Sequence, residues 1–214
     1  MNFAIFLSAG ALLGIERIAY IAVWRAPDHF RSLCARFMPA LVRQPVEALR
    51  LFFYGFKILQ GAVFLGWCYL HGGSLWPGSA GLFAAALGTG LILAGQALNA
   101  GVFYRLGKLG VFYGNKFGYE IPWQRGFPFS LLKHPQYTGA VLTIWGFFLI
   151  MRFPSADWYA LPLLETLYYI LGAHLESDAP IRAWYRRSVT DSRDDIPDDE
   201  AVPVGYKLRS RLRY

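Results

Sequence analysis

Residues 113–139 read YGNKFGYEIPWQRGFPFSLLKHPQYTG and connect two apolar runs, each apolar enough to cross a bilayer. Connectors of this length are usually either functional or disordered. Disordered segments are poor in aromatic residues, whereas this one is rich in Tyr, Phe and Trp and should therefore pack. Its glycines would let the backbone approach a ligand closely. The stretch predicts a structured loop that forms a ligand site at the membrane surface.

The composition around this loop is that of a membrane protein. Of the 214 residues, 55% are hydrophobic and 16% are charged, whereas soluble domains carry about 25% charged residues. The apolar runs predict an all-α integral membrane bundle of about five transmembrane helices. The predicted spans are Phe3–Val23, Leu49–Leu70, Ala80–Tyr104, Tyr137–Met151 and Trp158–Leu175. The first is interrupted by charge and could instead lie in the membrane interface.

Positive charge predicts the orientation of the bundle. Most of the 21 lysines and arginines lie in the first connector, the long loop and the C-terminal tail. Since cytoplasmic segments are enriched in these residues, the loop and the tail are expected on the cytoplasmic side. The membrane would be the bacterial inner membrane or the endoplasmic reticulum. The net charge of +7 fits anionic lipid headgroups and requires no nucleic acid.

Cysteine and histidine spacing gives no sign of a metal site. Cys34 and Cys68 lie in a connector and a span, and no histidine pair has zinc-ligand spacing. Gly88-Thr89-Gly90 lies inside an apolar span rather than after a strand, so it is not a dinucleotide fingerprint.

Polar residues inside the predicted spans have two interpretations. Lys57 and Glu165 could form an ion pair across helices or take part in catalysis, and Glu16 and Arg17 are open to the same two readings. Gln96 and Asn99, in the third span, would form hydrogen bonds between helices or contribute to a site.

Two further patterns flank the fourth and fifth spans. His134-Pro135-x-Tyr137-x-Gly139 begins the fourth span, where free backbone N–H groups can hold an anion; alternatively, Tyr137 is an interfacial aromatic residue. Glu176 follows the fifth span, at a helix C-terminus whose dipole opposes a carboxylate. It would therefore be solvated or bind a cation such as an ammonium group.

The stretches GQALNAGVFYRLGKLGVFYGNKFGYEIPW (95–123), FPFSLLKHPQYTG (127–139) and LES (175–177) resemble the phospholipid N-methyltransferases, in particular the plant-type phosphatidyl-N-methylethanolamine N-methyltransferases. The resemblance implies a membrane enzyme that uses S-adenosylmethionine without a Rossmann domain or a metal. Its substrates would be phosphatidylethanolamine or the mono- and dimethyl derivatives, methylated toward phosphatidylcholine. A homo-oligomer is an option.

The resemblance also implies a set of site residues. In register with the loop, the glycine motif of animal members falls on Leu93-Ala94-Gly95, and a pair of acids corresponds to Glu176 with Ser177, or with Asp178 as a substitute. Glu176 would hold the cofactor's ammonium group and His134 would line the pocket near its carboxylate; these two are also the candidate catalytic residues. The implied cofactor-binding residues are Gly95, Asn99, Tyr113, Gly114, Phe117, Gly118, Phe129, His134, Pro135, Tyr137, Gly139 and Glu176. The lipid phosphate would lie near Arg105, Lys108 or Lys116.

Two alternatives and a domain division complete the expectations. Lys133-His134-Pro135-x-Tyr137 is also similar to a motif of isoprenylcysteine carboxyl methyltransferases, which would make the chain a carboxyl or thiol methyltransferase. A non-enzymatic membrane adaptor that binds lipid is the third possibility. The predicted domains are a membrane domain at 1–178, with its cofactor core at 95–178, and a cytoplasmic tail at 179–214.

Overall fold

The computed structural model describes residues 2–77 and 80–176, and this part of the chain is helical. The helices are α1 (Phe3–Arg25), α2 (Pro27–Phe37), α3 (Pro45–Gly72), α4 (Leu82–Val111), α5 (Pro135–Met151) and α6 (Ala160–Leu175). Short 3₁₀ turns lie at Ala40–Val42 and Gly114–Phe117. The predicted all-α membrane bundle is confirmed. The tail predicted at 179–214 and the acids considered at 177 and 178 lie outside the described residues.

Helix length divides the bundle into two groups. Three helices, α1, α3 and α4, are long and apolar enough to cross a membrane. The shorter α5 and α6 have 17 and 16 residues, or about 25 Å at 1.5 Å per residue. Helix α1 packs on α3 and α6, as expected for a span of the bundle. The connector helix α2 was not predicted; its amphipathic residues cover the loop through a Phe30–Phe117 ring contact at 6.0 Å.

Glycines set the close packing of α4 on α5. A Cβ at Gly88 would stand 2.7 Å from the carbonyl oxygen of Gly146, and a Cβ at Gly139 would stand 2.7 Å from that of Gly95. The two pairs are spaced by a heptad on each helix, so both fall on the same helical stripe. Small residues on such a stripe let helix backbones meet in a membrane. The packing therefore requires Gly88 as much as Gly95.

The end of α4 is redirected at Gly107. Its φ of 58° and ψ of −173° lie outside helical geometry, in a region that glycine adopts readily. The chain then makes one more turn to Val111, past the predicted end at Tyr104. Tyr113 follows in the left-handed region with φ 55°. This bend turns the aromatic loop back over the ends of α1 and α6, at what we call the loop end of the bundle.

The opposite end of the bundle is held by a charged contact between α3 and the α5–α6 connector. Arg152 forms an ion pair with Asp157 at 2.5 Å, and the Trp67 indole donates a 2.8 Å hydrogen bond to the same carboxylate. Arg152 also donates to the carbonyl of His71. These contacts fix the ends of α3, α5 and α6 relative to one another.

Candidate functional site

Glu176 lies where the ends of α4, α5 and α6 meet. Its backbone N–H caps α6 by donating to the carbonyl of Gly172 over 2.9 Å. The hydroxyl groups of Tyr113 and Tyr137 both donate to its Oε2, the first over 2.8 Å. The loop, the start of α5 and the end of α6 are thus joined through one carboxylate.

The second oxygen of this carboxylate has no partner among the described residues. Glu176 Oε1 is buried without a hydrogen-bond donor, and it lies 3.7 Å from the point where a Cβ at Gly172 would stand. Burial raises the pKa of the Glu176 carboxyl, and the hydrogen bonds from Tyr137 and Tyr113 offset this only in part. A buried acceptor without a donor is costly, so the site fits a ligand that brings a donor, such as an ammonium group.

A cavity of about 220 Å³ adjoins this carboxylate and collects several predicted residues. It is lined by Trp24, Val102, Leu106, Phe129, Lys133, His134, Pro135, Gln136, Tyr137, Ala173 and Glu176. The His134 and Tyr137 rings are nearly parallel, with centroids 6.0 Å apart. Pro135 is the first residue of α5, as the sequence indicates. We call this space the small cavity.

The remaining predicted cofactor residues lie elsewhere. Asn99 and Tyr113 line a second, larger cavity. Gly95 and Gly139 form the α4–α5 contact described above. The three others, Gly114, Phe117 and Gly118, belong to the 3₁₀ turn and its end, and Phe117 is buried in the core there. Their roles toward a cofactor stay predictions.

Each of the three basic residues predicted near a lipid phosphate contacts another residue of the protein. Lys108 forms an ion pair with Glu47, and Arg105 donates to the carbonyl of Phe127 over 3.2 Å. The Lys116 ammonium stands 3.9 Å from the centre of the Trp24 ring. None of the three is among the residues that line the two cavities. Their contact with a phosphate stays a prediction.

The larger cavity, of about 770 Å³, lies among α1, α3, α4, α5 and α6. Its volume is within the range of small-molecule sites, about 300–1,000 Å³. Tyr137 and Gln136 border both cavities, so they form the wall between them. One side of the large cavity is apolar, with Phe64, Phe103 and Phe147 among its residues.

Charged residues of α1 and α3 line another side of the large cavity. Glu16 pairs with Arg17 at 2.8 Å and with Lys57 at 3.0 Å. The Lys57–Glu165 ion pair considered above is wrong, because Glu165 instead accepts a 3.0 Å hydrogen bond from Gln60. The Arg17 guanidinium lies 4.1 Å from the centre of the Tyr169 ring. The predicted hydrogen bond between helices is present for Gln96, which donates to Thr143 over 3.0 Å.

Comparison with known proteins identifies the segment that carries the Glu176 site. Residues 83–182 match the phospholipid methyltransferase family. This segment belongs to that family. A phosphatidyl-N-methylethanolamine N-methyltransferase from Arabidopsis thaliana is 43% identical over 54 residues, which are 25% of this chain and 33% of the relative. The chain thus matches about a third of the length of this curated relative. No solved structure matches the chain.

The phospholipid methyltransferase segment begins at the start of α4 and includes the loop, α5, α6 and Glu176. Helices α1 to α3, which contribute Glu16, Arg17 and Lys57 to the large cavity, precede it. Two features were missed by sequence reasoning: the large cavity, and the convergence of two tyrosine hydroxyls on Glu176. Tyr113 and Tyr137 lie 63 and 39 residues before Glu176, and no periodic pattern in the sequence connects residues that far apart.

Proposed function

We propose that the chain is an S-adenosylmethionine-dependent phospholipid N-methyltransferase that methylates the ethanolamine headgroup toward phosphatidylcholine. The observation that carries the proposal is the buried, unpartnered Oε1 of Glu176 beside His134, Pro135 and Tyr137. It lies within a segment of the phospholipid methyltransferase family. The relative from Arabidopsis, which is named for methylation of phosphatidyl-N-methylethanolamine, supports the choice of acceptor.

The small cavity would hold the amino-acid end of the cofactor. Glu176 Oε1 would accept a hydrogen bond from the ammonium group, while Tyr113 and Tyr137 keep Oε2 occupied and the carboxylate fixed. His134 and the start of α5 would face the carboxylate, where free helix N–H groups favour an anion. When bound, S-adenosylmethionine supplies a methyl group on a positively charged sulfur, which is a strong leaving group.

The large cavity would admit the acceptor, so that the amine meets the methyl group at the wall formed by Gln136 and Tyr137. The amine would first lose a proton to a base; its nitrogen would then form a C–N bond as the C–S bond breaks, with the neutral thioether as the leaving group. Holding the two reactants in line can contribute about 7–11 kcal/mol. The electron-rich face of Tyr137 would stabilise the positive charge by about 0.5–2 kcal/mol.

Proton removal is the second requirement of the reaction. An alkylammonium group has a pKa near that of lysine, about 10, and transfer into an apolar cavity lowers it. His134 lines the small cavity and stacks on Tyr137 at the wall between the two cavities. We propose it as the base for an amine that meets the methyl group at that wall; a well-placed base contributes about 10²–10⁴-fold. Glu176 is less suited, because two tyrosine hydroxyls already donate to it.

A panel of acceptors tests this proposal. Purified protein in vesicles is incubated with methyl-labelled cofactor and with phosphatidylethanolamine, its monomethyl or its dimethyl derivative. We expect label in the mono- and dimethyl acceptors, at a rate that rises between about pH 7 and 9. Label in a prenylated cysteine acid but in no ethanolamine lipid would establish the carboxyl-methylating alternative. Failure to bind cofactor at all would establish the adaptor alternative.

The proposed orientation places the loop and Glu176 on the cytoplasmic side. This rests on the distribution of lysine and arginine and on their position at the loop end, where Arg25, Arg105 and Lys116 all lie. A water-soluble cofactor would then reach Glu176 from the cytoplasm, while the lipid would enter from the membrane.

A further inference from the structure

The wall of the large cavity carries more positive than negative charge. Three charged residues line it, and they are Glu16, Arg17 and Lys57. The single carboxylate already has Arg17 at 2.8 Å, so Lys57, at 3.0 Å, brings a second cation to the same acid. Glu165 does not line the cavity. It is 1% exposed and accepts a hydrogen bond from Gln60, which does line it. Ionisable residues inside a membrane bundle mark ligand sites, and two cations beside one carboxylate at the cavity surface favour an anionic ligand group.

Of these charged side chains, Lys57 is the one that a ligand can reach. Its side chain is 32% exposed, whereas those of Glu16 and Arg17 are 5% and 7% exposed. The Lys57 ammonium also donates to Gln60 over 3.1 Å and, more weakly, to the Tyr169 hydroxyl over 3.4 Å. An anion can replace the long contact with Tyr169 while the bond to Glu16 remains.

The polar and apolar parts of the cavity follow one another along the bundle axis. Tyr113 and Tyr137 lie at the loop end. Lys57 comes next. It lies on α3 six residues after Leu51, where that helix becomes apolar, and is therefore about 9 Å deeper along the helix than Leu51. Beyond Lys57, toward the other end of α3 and α5, the cavity is lined by Phe64 and Phe147, whose rings stack at 5.8 Å.

This order matches the parts of a phospholipid whose headgroup points to the loop end. The amine would lie at the Tyr137 wall, the phosphodiester at Lys57, and an acyl chain along Phe64 and Phe147. Tyr169 bridges the first two positions, because its hydroxyl is 3.4 Å from the Lys57 ammonium and its ring centre is 5.5 Å from that of Tyr137. In an ethanolamine headgroup only two carbons and an ester oxygen separate the phosphorus from the nitrogen.

We propose that Lys57 is the residue that binds the phosphate of the acceptor lipid and so restricts the enzyme to acceptors that carry a phosphodiester. This inference rests on the proposed function and adds a specificity-determining residue that lies outside the family segment, on α3. It differs from the prediction of a phosphate near Arg105, Lys108 or Lys116, whose contacts are with the protein surface.

The test compares two acceptors that differ only in the phosphate. One is phosphatidyl-N-methylethanolamine; the other is a diacylglycerol in which an ether joins the N-methylaminoethyl group to the glycerol. The measured quantity is the ratio of the kcat/KM values for the two acceptors. Because both values scale with the amount of folded enzyme, the ratio does not depend on how much of a variant folds.

Wild-type enzyme should prefer the phosphodiester, and Lys57→Met should lower this preference by about 10- to 100-fold, as expected for a lost charge-assisted hydrogen bond. Lys57→Arg, which keeps the charge, should retain most of the preference for the phosphodiester. Calorimetry should give Lys57→Met the cofactor affinity of wild type, since Lys57 does not line the small cavity.

An unchanged ratio in Lys57→Met would overturn the inference, even if total activity fell. A loss of the ratio in Lys108→Met instead would do the same and would favour the surface prediction. The proposed function fails separately, and takes this inference with it, if wild type methylates neither acceptor.

Discussion

The hydroxyl group of Tyr113 donates a 2.8 Å hydrogen bond to the carboxylate of Glu176, 63 residues further along the chain. This contact joins the loop after α4 to the end of α6. It places one buried carboxylate at the junction of three elements and leaves its Oε1 available to a ligand.

Glu176→Gln should weaken binding of S-adenosylmethionine by about 10- to 150-fold, because it removes a charge-assisted hydrogen bond worth about 1.5–3 kcal/mol while keeping the shape. Isothermal calorimetry on monodisperse protein measures the change. Asp28→Asn is the matched control, since its side chain is 91% exposed and lines neither cavity. Equal affinities for wild type and Glu176→Gln would mean that Glu176 has no part in cofactor binding.

Cofactor affinity should fall as the pH is lowered. Burial raises the pKa of Glu176 above its ordinary value of 4.5, so protonation removes the negative charge at a higher pH than for an exposed glutamate. Binding is therefore complete above the raised pKa and is lost as the pH falls through it. Calorimetry across the acidic range should show this loss in wild type and not in Glu176→Gln. The same acid dependence in both proteins would assign the titration to another group.

Tyr137→Phe should weaken cofactor binding less than Glu176→Gln, because Tyr113 continues to hold Oε2. A neutral donor to a charged acceptor is worth about 1.5–3 kcal/mol at most. In a double-mutant cycle the two changes should be strongly non-additive, since the hydroxyl acts through the carboxylate. Additive losses would show that the Tyr137 hydroxyl contacts the cofactor independently.

Gly88→Ala should destabilise the bundle, because its new methyl group would stand 2.7 Å from the Gly146 carbonyl oxygen. Gly90→Ala is the control on the same helix: its Cβ meets nothing within 4 Å, and alanine favours a helix by about 0.5–1 kcal/mol. Thermal unfolding in detergent should therefore give a lower Tm for Gly88→Ala and an equal or higher Tm for Gly90→Ala. Equal values for both variants would contradict the glycine contact.

Lys116→Cys should be labelled only by reagents that reach the cytoplasmic side. The native cysteines give little background, since Cys34 and Cys68 are 0% and 1% exposed. Labelling from outside intact cells would reverse the proposed orientation, while leaving the geometry of both cavities as described.

Composition and apolar runs were sufficient to predict the helical membrane bundle, and the aromatic loop predicted a packed site. The sequence also brought His134, Pro135, Tyr137 and Glu176 into one site through the family resemblance, and they do line one small cavity. Local sequence patterns were sufficient for these predictions because the length of a span and the start of a helix depend on neighbouring residues.

Contacts between helices that are distant in sequence could not be predicted from such local patterns. Sequence reasoning assigned Gly88 no role beyond a dinucleotide motif that was rejected, yet a Cβ there would stand 2.7 Å from the Gly146 carbonyl oxygen on α5, much as a Cβ at Gly95 would crowd the Gly139 carbonyl oxygen. Likewise, Lys57 pairs with Glu16 rather than Glu165, a choice set by how α1 rotates against α3. A register between helices depends on the whole interface, which no single stretch of sequence records.

The most direct test of the central claim is mass spectrometry of phosphatidyl-N-methylethanolamine after incubation with S-adenosylmethionine and protein in vesicles. The account predicts that wild type adds methyl groups to the headgroup nitrogen and that Glu176→Gln does so only at much higher cofactor concentration. Unmodified lipid with wild-type protein that binds the cofactor would contradict it.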